Sequence, residues 1–300
     1  MAMSNLDHSH LHSLIQRTIN TKGGQHPNPA VGAMVVVDGV VVGEGYHQQA
    51  GQAHAEVIAL NNAKDKAQGA TLYITLEPCV HHGKTPPCVD AIIKAGIKKV
   101  VWAINDPNPK VSGKAAALLK QNGIVVMADV LPEHGITCIC EFAMVHQHQR
   151  PYVYVKAAVS SNGMIAPNKE KLHYMTSKTS LQKVQQLRSW CQAICVGVGT
   201  INTDQPRLSI RAISNPSDQP IIAILDPLFS VDTAWLAQTL DAGRKVVLFT
   251  QSPILMAHKN LTSMPTLTHN KQDNWPLVFA ALYKLGVHGV LVEGGGSVFT

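Results

Sequence analysis

Four residues in the first third of the chain have types and spacing that could carry chemistry: His54, Glu56, Cys79 and Cys88, in the contexts His54-Ala-Glu56 and Glu77-Pro78-Cys79. One imidazole and two thiolates are three ligands suited to Zn2+, and three protein ligands leave the fourth tetrahedral position open, as a catalytic site requires. Glu56, two residues past the imidazole, then reads as the proton carrier, taking a proton from the attacking water and returning it to a departing amine. If His81 or His82 supplied a fourth ligand, the same residues would make a purely structural site.

These residues must be delivered to one place, and the text around them predicts how. Val31 to Val37 and Val40 to Val42 flank Asp38-Gly39, a dipeptide suited to a tight hairpin. From His54 to about Lys64, Ala55, Ile58 and Ala59 recur at helical spacing, and Gly69 ends the pattern before a strand at Thr71 to Leu76. A loop rich in Pro, Gly and His leads to a helix at Val89 to Ala95 and a strand at Lys99 to Ile104. Asp106-Pro-Asn-Pro109 makes a turn-rich exit, and a further helix and strand fall within Gly113 to Val126. His54 and Cys88 thus both stand at helix starts, where the exposed N–H groups and the helix dipole favour a thiolate. The Thr71 to Leu76 strand brings Cys79 to the same edge.

The text turns polar around His146 to Arg150, and Pro151 opens a β-rich run from Tyr152 to Val159, so a domain boundary is expected between 147 and 148. The second half again alternates: a helix at Ser180 to Ser189, strands at Ala193 to Val198, Ile221 to Leu225 and Lys245 to Phe249, a helix at Leu277 to Leu285 and a strand at Gly289 to Val292. Both halves therefore predict α/β architecture. With 300 residues, 45% apolar and 15% charged, the composition excludes disorder and coiled coil. No apolar run approaches the roughly 18 residues of a membrane span. The N-terminal text lacks a secretory pattern, so the expected compartment is cytoplasmic and the six cysteines read as thiols or metal ligands rather than disulfides. The net charge of +6 is spread without a basic run and aromatics make up 5%, which argues against a nucleic-acid partner.

The order H-x-E, then P-C and a second Cys, resembles the zinc nucleobase deaminases. Those have two residues between the cysteines, whereas here there are eight, Val80-His-His-Gly-Lys-Thr-Pro-Pro87. Together with His26-Pro-Asn-Pro-Ala-Val-Gly32, Gly45-Tyr-His47 and Asp106-Pro-Asn-Pro109, this insertion resembles the deaminase half of the bifunctional deaminase/reductase family of riboflavin biosynthesis, from about Gly23 to Gly123. The resemblance implies a cytidine-deaminase-like three-layer α/β/α domain over 1–147. It implies hydrolytic deamination of 2,5-diamino-6-ribosylamino-4(3H)-pyrimidinone 5′-phosphate, with Asn28, His47, His81, Lys84, Thr85, Asp106 and Asn108 holding the pyrimidine, ribose and phosphate.

The second half resembles the same family's reductase, through Lys156 with Ser160 to Gly163, Gly197-Val-Gly-Thr200, Asp204-Gln-Pro-Arg-Leu-Ser-Ile-Arg211 and Val292-Glu-Gly-Gly-Gly296. That implies a dihydrofolate-reductase-like α/β domain over 148–300 that uses NADPH to reduce the ribosyl group. Ala158, Tyr174, Thr200, Asp204 and Gly295 would contact NADPH, and Arg188, Leu208, Arg211 and Glu293 the substrate. Asn162, Leu172, Tyr174, Gln205, Pro227 and Ser230 depart from the family's usual residues. The chain stops at Thr300, just past the glycine motif, so this half is expected to lack its C-terminal part. A deaminase with a degenerate reductase half therefore stands as an alternative, beside a deaminase of another nucleobase and a non-catalytic zinc protein. The resemblance also implies a small-molecule pyrimidine ribose phosphate substrate and a homodimer, with no nucleic-acid or membrane partner.

Overall fold

The computed structural model describes residues 4–83, 85–109, 111–159, 163, 177–211, 218–253, 256–264, 274–295 and 298. The chain divides into two compact units, Met1–His148 and Gln149–Thr300.

The first unit runs α1 (Asn5–Ile19), β1 (Gly32–Val37), β2 (Val40–Tyr46), α2 (Ala55–Ala63), β3 (Thr71–Leu76), α3 (Cys88–Lys94), β4 (Lys99–Ile104), α4 (Lys114–Gln121), β5 (Val125–Met127) and α5 (Pro132–His148). Its sheet has the order β2-β1-β3-β4-β5, with β1 antiparallel to both neighbours and β3, β4 and β5 parallel. Because side chains alternate along a strand, β3 sends Leu72 and Ile74 into a core with Ala59, Val89, Ile92 and Leu119 of α2, α3 and α4. Its Tyr73 goes into the opposite core with Leu11 and Ile15 of α1 and Ile139 of α5. This is the expected three-layer arrangement. The Asp38-Gly39 turn has φ of 48° and 78°, the left-handed pair that a two-residue hairpin demands.

Strand β2 continues to Tyr46, four residues past its expected end. Gly43 and Gly45 look like strand breakers, but they lie under α2: a Cβ on Gly45 would stand 2.6 Å from Ala55 O and Ala59 N, and one on Gly43 would stand 2.3 Å from Ala59 O. The glycines therefore seat the helix that follows His54. Two helices of this unit were not expected. Helix α1 is started by a capping box in which Ser4 and Asp7 bond reciprocally. Helix α5 runs through the polar text at His146.

The Asp7 carboxylate also receives Tyr73 Oη at 2.7 Å and Lys99 Nζ at 2.7 Å, tying α1 to β3 and β4. Burial alone would raise the Asp7 carboxyl, but the bonds from Lys99, Tyr73 and Ser4 prevail and hold it well below the usual carboxylate range.

The second unit runs β6 (Tyr152–Val155), α6 (Lys178–Trp190), β7 (Ala193–Gly197), α7 (Val198–Asp204), β8 (Ile221–Leu225), α8 (Thr233–Asp241), β9 (Val246–Phe249), β10 (Leu261–Met264), α9 (Asn274–Lys284) and β11 (Gly289–Val292). The sheet order is β10-β9-β8-β7-β11-β6 and every pairing among the described residues is parallel. Val278 and Leu282 of α9 cover one face with Val247 and Val290. Ile201, Trp235 and Leu236 of α7 and α8 cover the other with Ile194, Ile222 and Leu248. The first strand ends at Val155 rather than Val159, where its pairing with β11 stops. Helices α7 and α8 and strand β10 were not expected. Helix α7 lies on Gly-rich text that reads as a turn, and α8 is set by Asp232, which accepts from the N–H groups of Ala234 and Trp235. Among the described residues no helix is long and apolar enough to cross a membrane.

Two outcomes follow from these contacts. Gly45→Ala is expected to lose about 1–3 kcal/mol through overpacking of α2, read as a lower urea midpoint; an unchanged midpoint would show that α2 is free to move. Asp7→Asn is expected to lose about 2 kcal/mol at pH 7. Since the folded carboxyl titrates below its unfolded value near 4, its contribution is complete above that pH and fades as pH falls through the folded value. The deficit of the variant should therefore shrink in urea titrations at pH 3 and below, and a pH-independent deficit would contradict the assignment.

Candidate active site

His54 is the residue before α2, in extended conformation, and Cys88 is the first residue of α3, held there by Pro87. Cys79 follows β3, in a segment tied back to α3 by Val89 N–H on Cys79 O. His54 Nδ1 lies 3.1 Å from Cys88 Sγ and 3.6 Å from Cys79 Sγ, and Cys88 N–H donates to Cys79 Sγ at 3.3 Å. The three donors lie within 4.8 Å of one another. Among the described residues no fourth His, Cys, Asp or Glu joins them, so neither His81 nor His82 completes a closed structural site. Two sulfurs and one imidazole nitrogen with a place left over fit a catalytic Zn2+.

Within this cluster the three donors share protons among themselves. The hydrogen bond from Cys88, with further help from His54 and the Cys88 N–H, brings the Cys79 thiol down to about 4 against the effect of burial. Cys88 is pushed up, because it donates its proton to Cys79. His54 is raised, first by its bond to Cys79. Glu56, 3% exposed, is raised by burial and then by the Cys79 charge, an environment that favours uptake of a proton by its carboxylate.

His54, Glu56 and Cys79 open into a cavity of about 350 Å3 that is also lined by Asn28, His47, His81, Thr85 and Asn108. His47 is buried with both ring nitrogens engaged: Nδ1 lies 3.1 Å from Ala53 O and Nε2 lies 3.0 Å from Asn28 Nδ2. A carbonyl can only accept, so Nδ1 carries the proton and Nε2 accepts from the Asn28 amide. Asn28 is thereby turned so that its Oδ1 is left to accept from a ligand. Burial lowers the His47 pKa, which keeps the ring neutral. Asp106 does not line the cavity. It accepts its own turn's Asn108 N–H at 2.8 Å and is pushed up to about 6 by burial, with Glu77 and Cys79 adding to the shift. Lys84 lies outside the described residues.

Of the cavity residues that were not expected, Phe142, His146 and Glu77 bear most on the site. Phe142 and His146, with ring centroids 4.2 Å apart, reach the cavity from α5; their one-turn spacing was the available signal, hidden by reading this text as a boundary. Glu77 was visible only as the residue before Pro78-Cys79. It is 3% exposed and accepts backbone N–H groups from Asp106 at 3.2 Å, Gly113 at 3.0 Å and Ala115 at 3.1 Å. One carboxylate thus fastens the turn carrying Asn108 and the start of α4 to the strand end that carries Cys79.

Residues 6–104 match the cytidine and deoxycytidylate deaminase zinc-binding region, and residues 151–300 match the RibD C-terminal domain. Riboflavin biosynthesis protein RibD of Aquifex aeolicus is 38% identical over 295 residues, covering 98% of this chain and 82% of that protein. The chain belongs to the RibD family. RibD of Bacillus amyloliquefaciens is 37% identical over 297 residues, covering 98% of this chain and 80% of that protein. Among solved structures, a diaminohydroxyphosphoribosylaminopyrimidine deaminase/5-amino-6-(5-phosphoribosylamino)uracil reductase from Thermotoga maritima is 35% identical with a TM-score of 0.80, over 97% of this chain and 83% of that one. Acinetobacter baumannii RibD is 32% identical with a TM-score of 0.78, over 97% and 82%. As a RibD-family member the chain is an enzyme of riboflavin biosynthesis, with a zinc-binding deaminase half and an NADPH-dependent reductase half, acting on small molecules.

In the reductase half Arg188 forms a two-pronged ion pair with Glu293, Nε to Oε1 at 2.7 Å and Nη2 to Oε2 at 2.9 Å, and donates Nη1 to Ser209 O at 3.1 Å. The Leu208 side chain is buried in the core beside Ile201, whereas Arg211 is exposed. Thr200 on α7 faces Gly295, where an added Cβ would stand 3.7 Å from Thr200 Oγ1, and a Cβ on Gly199 would meet nothing within 4 Å. Gly294 has no such room, since its Cβ would stand 2.3 Å from Val298 Cβ. Close packing at 294 and bare backbone at 199 and 295 fit a dinucleotide, whose pyrophosphate needs backbone without side chains in the way. Asp204 is exposed at the end of α7 and Ala158 is half-buried. Gln205 reaches Asp232 Oδ2 at 3.1 Å, and the Ser230 hydroxyl is taken by Asp226 Oδ1 at 2.9 Å. Asn162, Leu172 and Tyr174 lie outside the described residues.

Glu77→Ala leaves three backbone N–H groups without their acceptor, that of Ala115 buried, and is expected to destabilise the first unit by about 1–3 kcal/mol. Hydrogen exchange should rise selectively at residues 106–115; unchanged protection there would refute the clamp.

Proposed function

We propose that the first half hydrolytically deaminates 2,5-diamino-6-ribosylamino-4(3H)-pyrimidinone 5′-phosphate, releasing ammonia, and that the second half reduces the ribosyl group of the resulting 5-amino-6-(5-phosphoribosylamino)uracil with NADPH. The observation that carries this reading is the three-donor set of His54, Cys79 and Cys88, with buried Glu56 on the same cavity. A bound Zn2+ supplies Lewis acidity to the attacking water. Glu56, buried on the cavity beside the donor set, accepts that water's proton and delivers it to the departing amine. Asn28 Oδ1, fixed by His47, accepts from an N–H of the pyrimidine. His81, Lys84, Thr85 and Asn108 belong to the ribose and phosphate end, with Lys84 as its cation, and Asp106 serves that end by holding the turn that presents Asn108.

In the second half Ala158, Tyr174, Thr200, Asp204 and Gly295 serve NADPH, whereas Leu208, Arg211, Arg188 and Glu293 serve the substrate. Arg188 is neutralised by Glu293, so exposed Arg211 supplies the positive charge for the phosphate. The work divides at 147/148, in a cytoplasmic homodimer without nucleic-acid or membrane partners.

The test follows ammonia release and NADPH oxidation separately with zinc-loaded chain and the diaminopyrimidine phosphate. Both signals are expected. Glu56→Gln should reduce ammonia release by about 10^2- to 10^4-fold with zinc content unchanged. Absence of ammonia from the zinc-loaded wild type would overturn the deaminase reading, and ammonia without NADPH consumption would overturn the reductase reading.

A further inference from the structure

The eight residues between Cys79 and Cys88 carry a feature that the donor set alone does not explain. Thr85 Oγ1 lies 3.2 Å from His54 Nε2, on the side of the ring away from the nitrogen that faces the two sulfurs. A nitrogen that ligates a metal must be unprotonated, so with Nδ1 toward the sulfurs the proton sits on Nε2 and Thr85 Oγ1 accepts it. A hydroxyl that accepts through a lone pair still has its own hydrogen to give, and Thr85 lines the cavity.

We propose that Thr85 is the positioning residue for the metal ligand His54: it fixes the ring's tautomer and orientation from behind and passes a hydrogen bond onward to the ligand in the cavity. This rests on the reading of His54, Cys79 and Cys88 as zinc ligands. The insertion makes the contact by turning back on itself, with Gly83 N–H donating to Thr85 O at 3.1 Å. The segment then descends through Pro87 into α3, so the stretch that returns the chain to the third ligand also braces the first. Metal-bound imidazoles usually give their second N–H to a carboxylate, carbonyl or water, which raises the ligand's basicity and stops the ring rotating. Here a hydroxyl takes that part. Unlike a carbonyl, it can act on a bound substrate in the same step, linking the ligand end of the cavity to the metal end.

The experiment uses the full chain stripped of metal and compares wild type, Thr85→Val and Thr85→Ser at one pH. Valine keeps the shape and removes the hydroxyl; serine keeps the hydroxyl. Zinc affinity is measured by competition with a chromophoric chelator, and site geometry by the visible absorption of the Co2+-loaded forms. Thr85→Val should bind zinc about 10- to 100-fold more weakly and shift the cobalt bands, while Thr85→Ser matches wild type in both. The metal-free forms should melt together, separating a role at the metal from one in folding. If wild type binds zinc and Thr85→Val binds it equally tightly, or if Thr85→Ser is as weak as Thr85→Val, the positioning role is overturned. A wild type that takes up no zinc overturns it together with the zinc reading beneath it.

Discussion

Helix α2 lies so close to strand β2 that no side chain fits between them, and the geometry of the first site depends on that contact. Gly43 and Gly45 bring the backbone of the strand within van der Waals reach of Ala55, Ala59 and Ala63. The helix is thereby held at one height and one rotation over the sheet. Its start places His54 at the cavity and its first turn aims Glu56 inward, so a contact made only of small residues decides where the imidazole and the carboxylate stand relative to each other.

The two cysteines are brought to the same point by different means. Cys79 is carried by β3, whose pairing between β1 and β4 fixes the level at which the strand ends. Cys88 is carried by the first turn of α3. Glu77 joins these supports to the next loop by accepting three backbone N–H groups, so the cavity wall at Asn108 cannot shift without disturbing the strand end beside Cys79. A buried carboxylate satisfied by main-chain donors is stable where a lone one would not be.

The second unit applies a related rule to different chemistry. Its residues for a dinucleotide and a phosphate lie around α7 and the 293–295 turn, past the ends of β7 and β11, and ligands of parallel α/β sheets bind beyond the strand ends. The Arg188–Glu293 pair spans this region and removes from solvent the charge of a guanidinium that the sequence suggested for phosphate. The first unit thus presents a preformed set of donors, whereas the second presents backbone.

Much of the fold was legible in the sequence, and the reasons are local. Strands β3, β4 and β8 and the Asp38-Gly39 hairpin are short apolar runs bounded by turn residues. His54 and Cys88 could be assigned to helix starts because periodicity begins there. Helices α1, α5, α7 and α8 were not read, since their polar or Gly-rich faces mask their period, and β2 was read short because its glycines look like breakers until the helix above them is known. The zinc ligands and Glu56 were legible because metal chemistry restricts residue type and spacing. Only the tertiary structure decided that His47 has no free ring nitrogen, that Thr85 stands behind His54, that Glu77 is a clamp and that Phe142 and His146 close the cavity. Each of these depends on which segments distant in sequence come within hydrogen-bond or van der Waals reach, and no local pattern encodes that distance.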